Sequence, residues 1–171
     1  MEMNKDKMYH IGLTKEDIKN AKYAILPGDP GRVHKIAACL DNPVKICTNR
    51  EYTSYLGELE GQKVLVMSTG MGGPSTAIAV EELKLIGIEN LIRIGTSGGM
   101  QLNVSAGDIV IAQAAVRQEG TSKEYVPVEF PAVANFEWRN RKVNIFDTPG
   151  LFDFEGGRSE AMRACETVIV V

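Results

Sequence analysis

Cysteine is scarce in this chain of 171 residues, and long apolar runs are missing. The three cysteines, Cys39, Cys47 and Cys165, have neither metal-ligand nor CxxC spacing, and their odd number argues against a disulfide framework. No apolar run approaches the ~18 residues that a membrane-spanning helix needs, and the polar residues 1–10 do not resemble a signal peptide. These features predict a protein of the reducing cytoplasm without a membrane partner.

An excess of charge of one sign is missing too. The net charge is -3, and 24% of the residues are charged while 44% are hydrophobic, as in ordinary soluble globular domains. Nothing in this balance favours nucleic acid as a partner. The chain also lacks the phosphate loop of nucleotide hydrolases, because no lysine is followed by Ser or Thr. A site for an anion must therefore be a local cluster of arginines.

The most informative stretch is 91–99, which reads Leu-Ile-Arg-Ile-Gly-Thr-Ser-Gly-Gly. Leu91, Ile92 and Ile94 predict a buried strand, which Arg93 interrupts. A guanidinium is rarely buried unless an anion or a carboxylate meets it. The glycines and hydroxyls that follow let backbone N–H groups approach a ligand closely. The stretch predicts a site for a phosphate or carboxylate, or else an arginine paired with a structural carboxylate beside an ordinary glycine turn.

Two further units have the order strand, loop, helix. The short apolar strand Tyr23–Leu26 runs into turn-rich residues 27–32, and apolar residues at helical spacing follow, so Arg32 lies near a helix N-terminus. The strand Lys63–Ser68 precedes a glycine-rich loop and a helix that begins near Pro74. This second unit leads into the strand of the central stretch, which predicts a right-handed βαβ crossover.

The rest of the pattern is coarser. Apolar runs predict strands at 44–47, 52–59 and 109–116. Thr14 with the acidic residues after it predicts the start of a helix. The predicted fold class is α/β, with a twisted mixed β-sheet and helices on both of its faces in three layers.

Arginines are expected to meet at one edge of this sheet. Glycine-rich loops at the carboxyl ends of parallel strands lie along one edge of an open α/β sheet. We therefore expect Arg32 and Arg93 to converge on one anion. Arg50, which precedes Glu51 between two strands, either joins them or forms a surface salt bridge worth little.

Several linked motifs resemble the nucleoside phosphorylase family, which includes uridine phosphorylase and the hexameric purine nucleoside phosphorylases. The motifs occur in the family's order at 26–32, 68–83 and 93–98. Residues 10–14 and 128–134 resemble the uridine phosphorylase branch more than the purine branch. The resemblance covers about residues 8–137, and it implies the family's fold, truncated on its C-terminal side.

The resemblance implies a transferase that cleaves the N-glycosidic bond of uridine with inorganic phosphate, releasing uracil and ribose 1-phosphate in nucleoside catabolism. Phosphate is a co-substrate, and no cofactor is expected. In the family pattern, phosphate is held by the Gly28 backbone, Arg32, Arg93 and Thr96, of which the two arginines and the threonine are the candidate catalytic residues.

The resemblance also implies a homo-oligomer, a hexamer built from dimers. Arg50 would join the phosphate site of a neighbouring subunit, and His10 would reach the ribose 5′-hydroxyl across the same interface. An alternative for His10 is an exposed residue near a mobile terminus. Ser97 and Gly98 would border the base and the sugar. Three further residues match positions that bind a monovalent cation such as K⁺ between subunits in some relatives: Glu51, Met71 and Ser75.

The resemblance to phosphorylases ends at residue 137, and residues 138–171 look like a different family. Asp147-Thr148-Pro149-Gly150, with Phe152-Asp153-Phe154, resembles the switch segment of translational GTPases of the elongation-factor G type. The phosphate loop and the Asn-Lys-x-Asp motif of those proteins are absent, so nucleotide hydrolysis is not expected. One interpretation is that two unrelated coding pieces are joined at this point, or that the gene model is chimeric. The alternative is that the tail takes the place of missing sheet strands because of its β-propensity.

Three functions stay open at this stage. The first is an active nucleoside phosphorylase. The second is a phosphate-binding remnant, because the segments that read the base and the ribose hydroxyls in the family have no match here. The third is a module that binds GTP through the motif Asp147-Thr148-Pro149-Gly150 in residues 138–171. A nucleosidase that uses water is disfavoured, because an arginine cluster has no use if water attacks. We predict the family activity for this sequence, and poor turnover or none by the 171-residue chain itself.

Overall fold

A computed structural model describes residues 6–99, 102–112 and 119–126, and the backbone of strands 132–138 and 141–147. The chain divides into two compact units, Met1–Gly98 and Gly99–Val171.

Over the described residues 6–98, the first unit contains five strands and two helices. In chain order they are β1 (Tyr23–Leu26), α1 (Pro30–Ala37), β2 (Asp41–Asn49), β3 (Tyr52–Leu59), β4 (Gln62–Met67), α2 (Gly73–Ile86) and β5 (Asn90–Arg93). The strands form one sheet in the order β2-β3-β4-β1-β5. β1 pairs in parallel with both β4 and β5, whereas β2, β3 and β4 form an antiparallel meander. The predicted mixed α/β sheet is confirmed.

Two apolar cores lie on opposite faces of this sheet. One joins α2 to the sheet through Ala24, Leu26, Leu56, Leu65, Met67, Ala79, Leu83 and Ile86. The other joins α1 to the sheet through Ile25, Val33, Ala37, Val64 and Val66. Alternate residues of β1 and β4 enter different cores, as the two-residue period of a strand requires. The helices therefore cover both faces in three layers, as predicted, and each buried Leu, Val or Ile side chain contributes roughly 1.5–3 kcal/mol.

The helix ends follow from local chemistry. The Asp29 carboxylate accepts a hydrogen bond from the Gly31 N–H at 2.8 Å, and Pro30 occupies the first position of α1. Pro74 stands in the first turn of α2, which ends at Gly87 with a φ of +107°. Both helices therefore begin directly after a loop that carries predicted site residues.

The burial predicted for β5 is wrong. Leu91, Ile92 and Ile94 are 40%, 49% and 41% exposed. The reason is position in the sheet, since β5 lies at an edge of the described sheet, beside β1 alone. A strand with one neighbour has a long open side, which a run of apolar residues does not reveal.

Two other local predictions also differ from the structure. Residues 14–20 form turns and no helix, although the Thr14 N–H and hydroxyl both donate to the Asp17 carboxylate, at 2.8 and 3.0 Å. Residues 109–112 of the predicted strand 109–116 have no regular structure, and residues 113–116 lie outside the described residues.

The second unit contains α3 (Thr121–Tyr125), β6 (Ala132–Trp138) and β7 (Arg141–Asp147). β6 and β7 form an antiparallel hairpin that runs from the pair Ala132–Asp147 to the pair Trp138–Arg141. This hairpin crosses the domain boundary expected after residue 137, which stays a prediction. Thr148 and the residues that follow lie outside the described residues, and so do the helix and strand expected near the end of the tail. In the part of the chain that the structure describes, no helix has the length and apolar character needed to span a membrane.

Candidate anion site at the strand ends

Arg93 lies where two parallel strands end together. The register of β1 and β5 places Arg93 opposite Leu26. The guanidinium turns back over the strand ends, where Nη1 donates to the Ile94 carbonyl and, at 3.4 Å, to the Leu26 carbonyl. A Cβ at Gly28 would lie 3.2 Å from Arg93 Nη2, which is closer than ordinary packing allows. A glycine at this position therefore lets the loop after β1 sit against the guanidinium.

Arg32 reaches the same strand end from the first turn of α1. Its Nη2 donates to the Thr96 hydroxyl at 3.4 Å, across 64 residues of sequence. The N-terminus of a helix carries a partial positive charge, so an anion at this place is stabilised by the helix dipole as well as by the side chain. The structure thus brings Arg32 to Thr96 as the sequence predicts.

The glycine-rich loop after β4 meets these two loops. The Thr69 N–H donates to the Pro27 carbonyl at 3.0 Å, which ties the β4 loop to the β1 loop. A Cβ at Gly28 would lie 3.3 Å from the Gly70 carbonyl oxygen. The loops after β1, β4 and β5 therefore pack together at one edge of the sheet, which is the arrangement expected of an open α/β sheet.

The arginines at this edge have no carboxylate partner within the described residues. The ion pairs found among the described residues join His10 to Glu82, Lys22 to Glu89 and Lys63 to Glu58, and none of them includes an arginine. Arg93 is exposed and Arg32 is half-buried. The alternative interpretation of Arg93, in which it pairs with a structural carboxylate, is therefore wrong for the described residues. Two uncompensated positive charges beside a helix N-terminus can bind a phosphate or another small oxyanion.

Arg50 and His10 lie near each other in the first unit, and Tyr9 connects them. Arg50 has a φ of +54°, and its guanidinium lies 5.5 Å from the centroid of the Tyr9 ring, within the range of a cation–π contact. The Tyr9 ring meets the His10 ring edge to face, with 5.0 Å between the centroids. The Asn49 amide donates to the carbonyls of Tyr9 and His10. The structure therefore joins Arg50 to His10, and it shows no contact between Arg50 and Arg32 or Arg93 in the described part of the chain.

Ser97 and Gly98 continue the loop beyond Thr96. Both are exposed, and a Cβ at Gly98 would meet no atom within 4 Å. These two residues directly follow Thr96 in the chain, and their place beside the base and the sugar stays a prediction.

The three residues proposed for a monovalent cation lie close to one another around Gly70. The Ser75 hydroxyl donates to the Met71 carbonyl at 3.1 Å and to the Gly72 carbonyl at 3.3 Å. A Cβ at Gly70 would lie 2.7 Å from Glu51 Cγ and 3.3 Å from Ser75 Oγ. A carboxylate, a carbonyl and a hydroxyl in one place are the oxygen ligands that a hard cation prefers.

A family model with the description "Phosphorylase superfamily" matches residues 22–158, which is most of the chain. The chain belongs to this superfamily. The predicted resemblance to nucleoside phosphorylases is confirmed. The match includes residues 138–158 of the tail, and the likeness of the tail to GTPases stays a prediction.

Curated relatives within the superfamily carry closely related names. Uridine phosphorylase of Escherichia coli K12 is 53% identical over 135 residues, covering 79% of this chain and 53% of the relative. Uridine phosphorylase of Treponema pallidum is 59% identical over 128 residues, covering 75% of this chain and 49% of the relative. Guanosine phosphorylase of Halorubrum lacusprofundi is 43% identical over 131 residues, covering 77% and 54%. The chain spans about half the length of the curated relatives it matches.

The residues that fix the segment around His10 were not predicted from the sequence. Glu82 accepts hydrogen bonds from His10 and Ile11, and Asn49 and Tyr9 fix the same segment. Glu82 and Asn49 lie 72 and 39 residues from His10 in the sequence, and Tyr9 is its immediate neighbour. Glu82 falls within the motif at 68–83, but nothing in that motif links it to His10, and Asn49 and Tyr9 lie in none of the motifs. No signal in the sequence alone points to them.

Tyr52 supplies a pH-dependent contribution to stability. Burial, together with the nearby carboxylates of Glu51 and Glu82, raises the pKa of Tyr52 from 10.0 to about 12. Its hydroxyl donates to the Ser75 carbonyl at 2.9 Å. Because the folded state holds this proton more tightly than the unfolded state, the contribution is fully present below pH 10 and is lost as the pH rises through about 12.

We expect Tyr52→Phe to remove this dependence. Chemical denaturation between pH 9 and 12 should show the free energy of unfolding of the wild type falling more steeply than that of the variant. Other groups titrate equally in the two proteins, so the difference isolates Tyr52. Parallel curves over this interval would mean that burial does not protect the phenol.

Proposed function

We propose that this chain carries the phosphate-binding part of a nucleoside phosphorylase, and that the protein cleaves uridine with inorganic phosphate to give uracil and ribose 1-phosphate. The observation that supports this most is the pairing of Arg32 with Thr96 and of Arg93 with Gly28 at adjacent strand ends, with no carboxylate on either arginine in the described residues. Arginines without a carboxylate partner can bind and orient the attacking group when that group is an anion such as phosphate.

In the proposed reaction, a phosphate oxygen attacks the anomeric carbon of the ribose. A C–O bond forms there while the C–N bond to the base breaks, and the electron pair of that bond leaves with the base. The base takes up one proton, which balances the proton that hydrogen phosphate loses on becoming the ribose ester. Arg32 and Arg93 neutralise the phosphate and hold it in line, and the Thr96 hydroxyl and the Gly28 backbone fix its orientation. Ser97 and Gly98 border the sugar and the base.

The surface of His10 and Arg50 is proposed to serve a neighbouring subunit. The contact through Tyr9 supports this, since it holds an imidazole and a guanidinium close together. Arg50 would meet the neighbour's phosphate, and His10 would meet the ribose 5′-hydroxyl. A dimer-based hexamer and a cytoplasmic location are part of the same proposal.

The proposal needs no cofactor. A monovalent cation such as K⁺ would be held by the Glu51 carboxylate, the Met71 carbonyl and the Ser75 hydroxyl, where it would neutralise the carboxylate and tie subunits together. The base is proposed to be uracil because uridine phosphorylases of several organisms match this chain at about half identity, although a guanosine phosphorylase matches at 43%.

The proposal is tested by titrating the purified chain with phosphate and with uridine in a calorimeter, and by following uracil release. We expect phosphate to bind, and any release of uracil by the purified chain to require phosphate. Phosphate binding without uracil release would favour the phosphate-binding remnant. Absence of phosphate binding would contradict both, and GTP binding under the same conditions would favour the tail-led alternative.

A further inference from the structure

Glu82 holds the segment that carries His10. The carboxylate projects from α2 and is 13% exposed. Its Oε1 accepts from the His10 ring at Nδ1, at 2.6 Å, and its two oxygens accept from the His10 N–H at 3.1 Å. Oε2 also accepts from the Ile11 N–H at 2.8 Å. One carboxylate thus binds three N–H groups of two adjacent residues.

The contact with Nδ1 determines how the neutral imidazole can bind other groups. An ionised carboxylate only accepts hydrogen bonds, so the proton of the neutral ring must be on Nδ1. Nε2 is then an unprotonated acceptor. The ring is 35% exposed, so part of it is open to a ligand. A hydroxyl of a ligand can therefore donate to Nε2.

We propose that Glu82 is a positioning residue that fixes the tautomer of His10 and so makes its Nε2 the acceptor for the ribose 5′-hydroxyl. This inference rests on the proposed function. Glu82 itself does not touch the substrate. It acts by setting the proton on the far side of the ring, as carboxylates set the tautomer of histidines in other sites.

A purely structural role makes a different prediction. Glu82 would then serve to hold the His10 and Ile11 backbone, and the ring contact would be incidental. Glu82→Gln separates the two roles. Glutamine keeps one acceptor oxygen, which the backbone N–H groups can use, and presents its NH₂ group to Nδ1. That donor favours the tautomer with the proton on Nε2.

The direct test is the tautomer of His10 by long-range ¹H–¹⁵N correlation of histidine-labelled protein in alkaline buffer. The chain has two histidines, so His34→Gln assigns both rings. We expect the Nδ1–H tautomer in the wild type and a shift toward Nε2–H in Glu82→Gln. Glu81→Gln, the same change at the exposed neighbour, should match the wild type. An Nε2–H tautomer in the wild type, or an unchanged ring in Glu82→Gln, would overturn the proposal.

Kinetics give a second readout. For uridine, we expect Glu82→Gln to lower kcat/KM about tenfold, the loss of one hydrogen bond to the substrate. For 5′-deoxyuridine, which lacks the hydroxyl, the variant should equal the wild type. Equal losses on both substrates would show a structural role and overturn the proposal. If the wild type releases no uracil at all, the proposed function fails, while the tautomer measurement still decides the role of Glu82.

Discussion

Replacing Arg93 with alanine is expected to abolish measurable phosphate binding and to lower kcat/KM for phosphorolysis by about 10²–10³-fold. Arg93 lies where β1 and β5 end together, against Gly28, and has no carboxylate partner in the described residues. Its removal takes away the positive charge that sits among the three loops of the anion site. The loss falls on phosphate rather than on uridine, so the KM for phosphate should rise most.

Calorimetric titration with phosphate and initial rates of uracil release measure this effect. Arg93→Lys should recover part of the affinity, because a lysine restores the charge but not the two-pronged guanidinium. Lys84→Ala, which removes a positive charge from the exposed last turn of α2, is the matched control and should bind phosphate as the wild type does. Wild-type phosphate affinity in Arg93→Ala would show that the anion site does not lie at this strand end.

Replacing Gly70 with alanine is expected to lower the free energy of unfolding by about 2–4 kcal/mol. Gly70 has a φ of +71°, a conformation that costs an L-residue about 1–2 kcal/mol. The new Cβ would also lie 2.7 Å from Glu51 Cγ and 3.1 Å from Glu51 Cβ, so the β2–β3 turn must move. Denaturant unfolding monitored by circular dichroism measures the change.

Gly61→Ala is the control that separates backbone strain from collision. Gly61 has a φ of +77°, close to that of Gly70, but a Cβ there would meet nothing within 4 Å. We expect this variant to lose only the backbone part, about 1–2 kcal/mol. Equal losses in Gly61→Ala and Gly70→Ala would mean that the contact with Glu51 relaxes freely.

Most strands and helices of the first unit were predictable from the sequence, because each has a strong local signal. Pro30 and Pro74 mark helix starts, and the apolar runs 23–26 and 63–68 mark the central parallel strands. The exposure of the β5 side chains was not predictable, because it depends on which strands lie beside β5. The turns at residues 14–20 show the same limit. The capping hydrogen bonds of Thr14 form, but no helix follows them.

The candidate site divides in the same way. The packing of the loops after β1 and β4 at one edge follows from parallel strands, so the order of strands and loops along the chain was enough to predict it. Thr96 entered only through the resemblance to the family, and the structure brings Arg32 to it. The contact of Arg50 with Tyr9 depends instead on the direction of the Arg50 side chain, in a turn where Arg50 itself has a φ of +54°. The grip of Glu82 on His10 joins residues 72 positions apart. Contacts of this kind need the packing of α2 against the N-terminal segment, which no local pattern encodes.

The order of strands in the sheet also has a bearing on how the chain folds. β2, β3 and β4 are joined by tight turns, so their pairing closes short loops at little entropic cost. β5 reaches β1 only after the chain has returned across 67 residues, the separation of Arg93 from Leu26. Long-range parallel pairing of this kind forms slowly. We therefore expect the strand that carries Arg93 to dock last, and under the proposed function a refolding chain would bind an anion only after β5 has paired with β1.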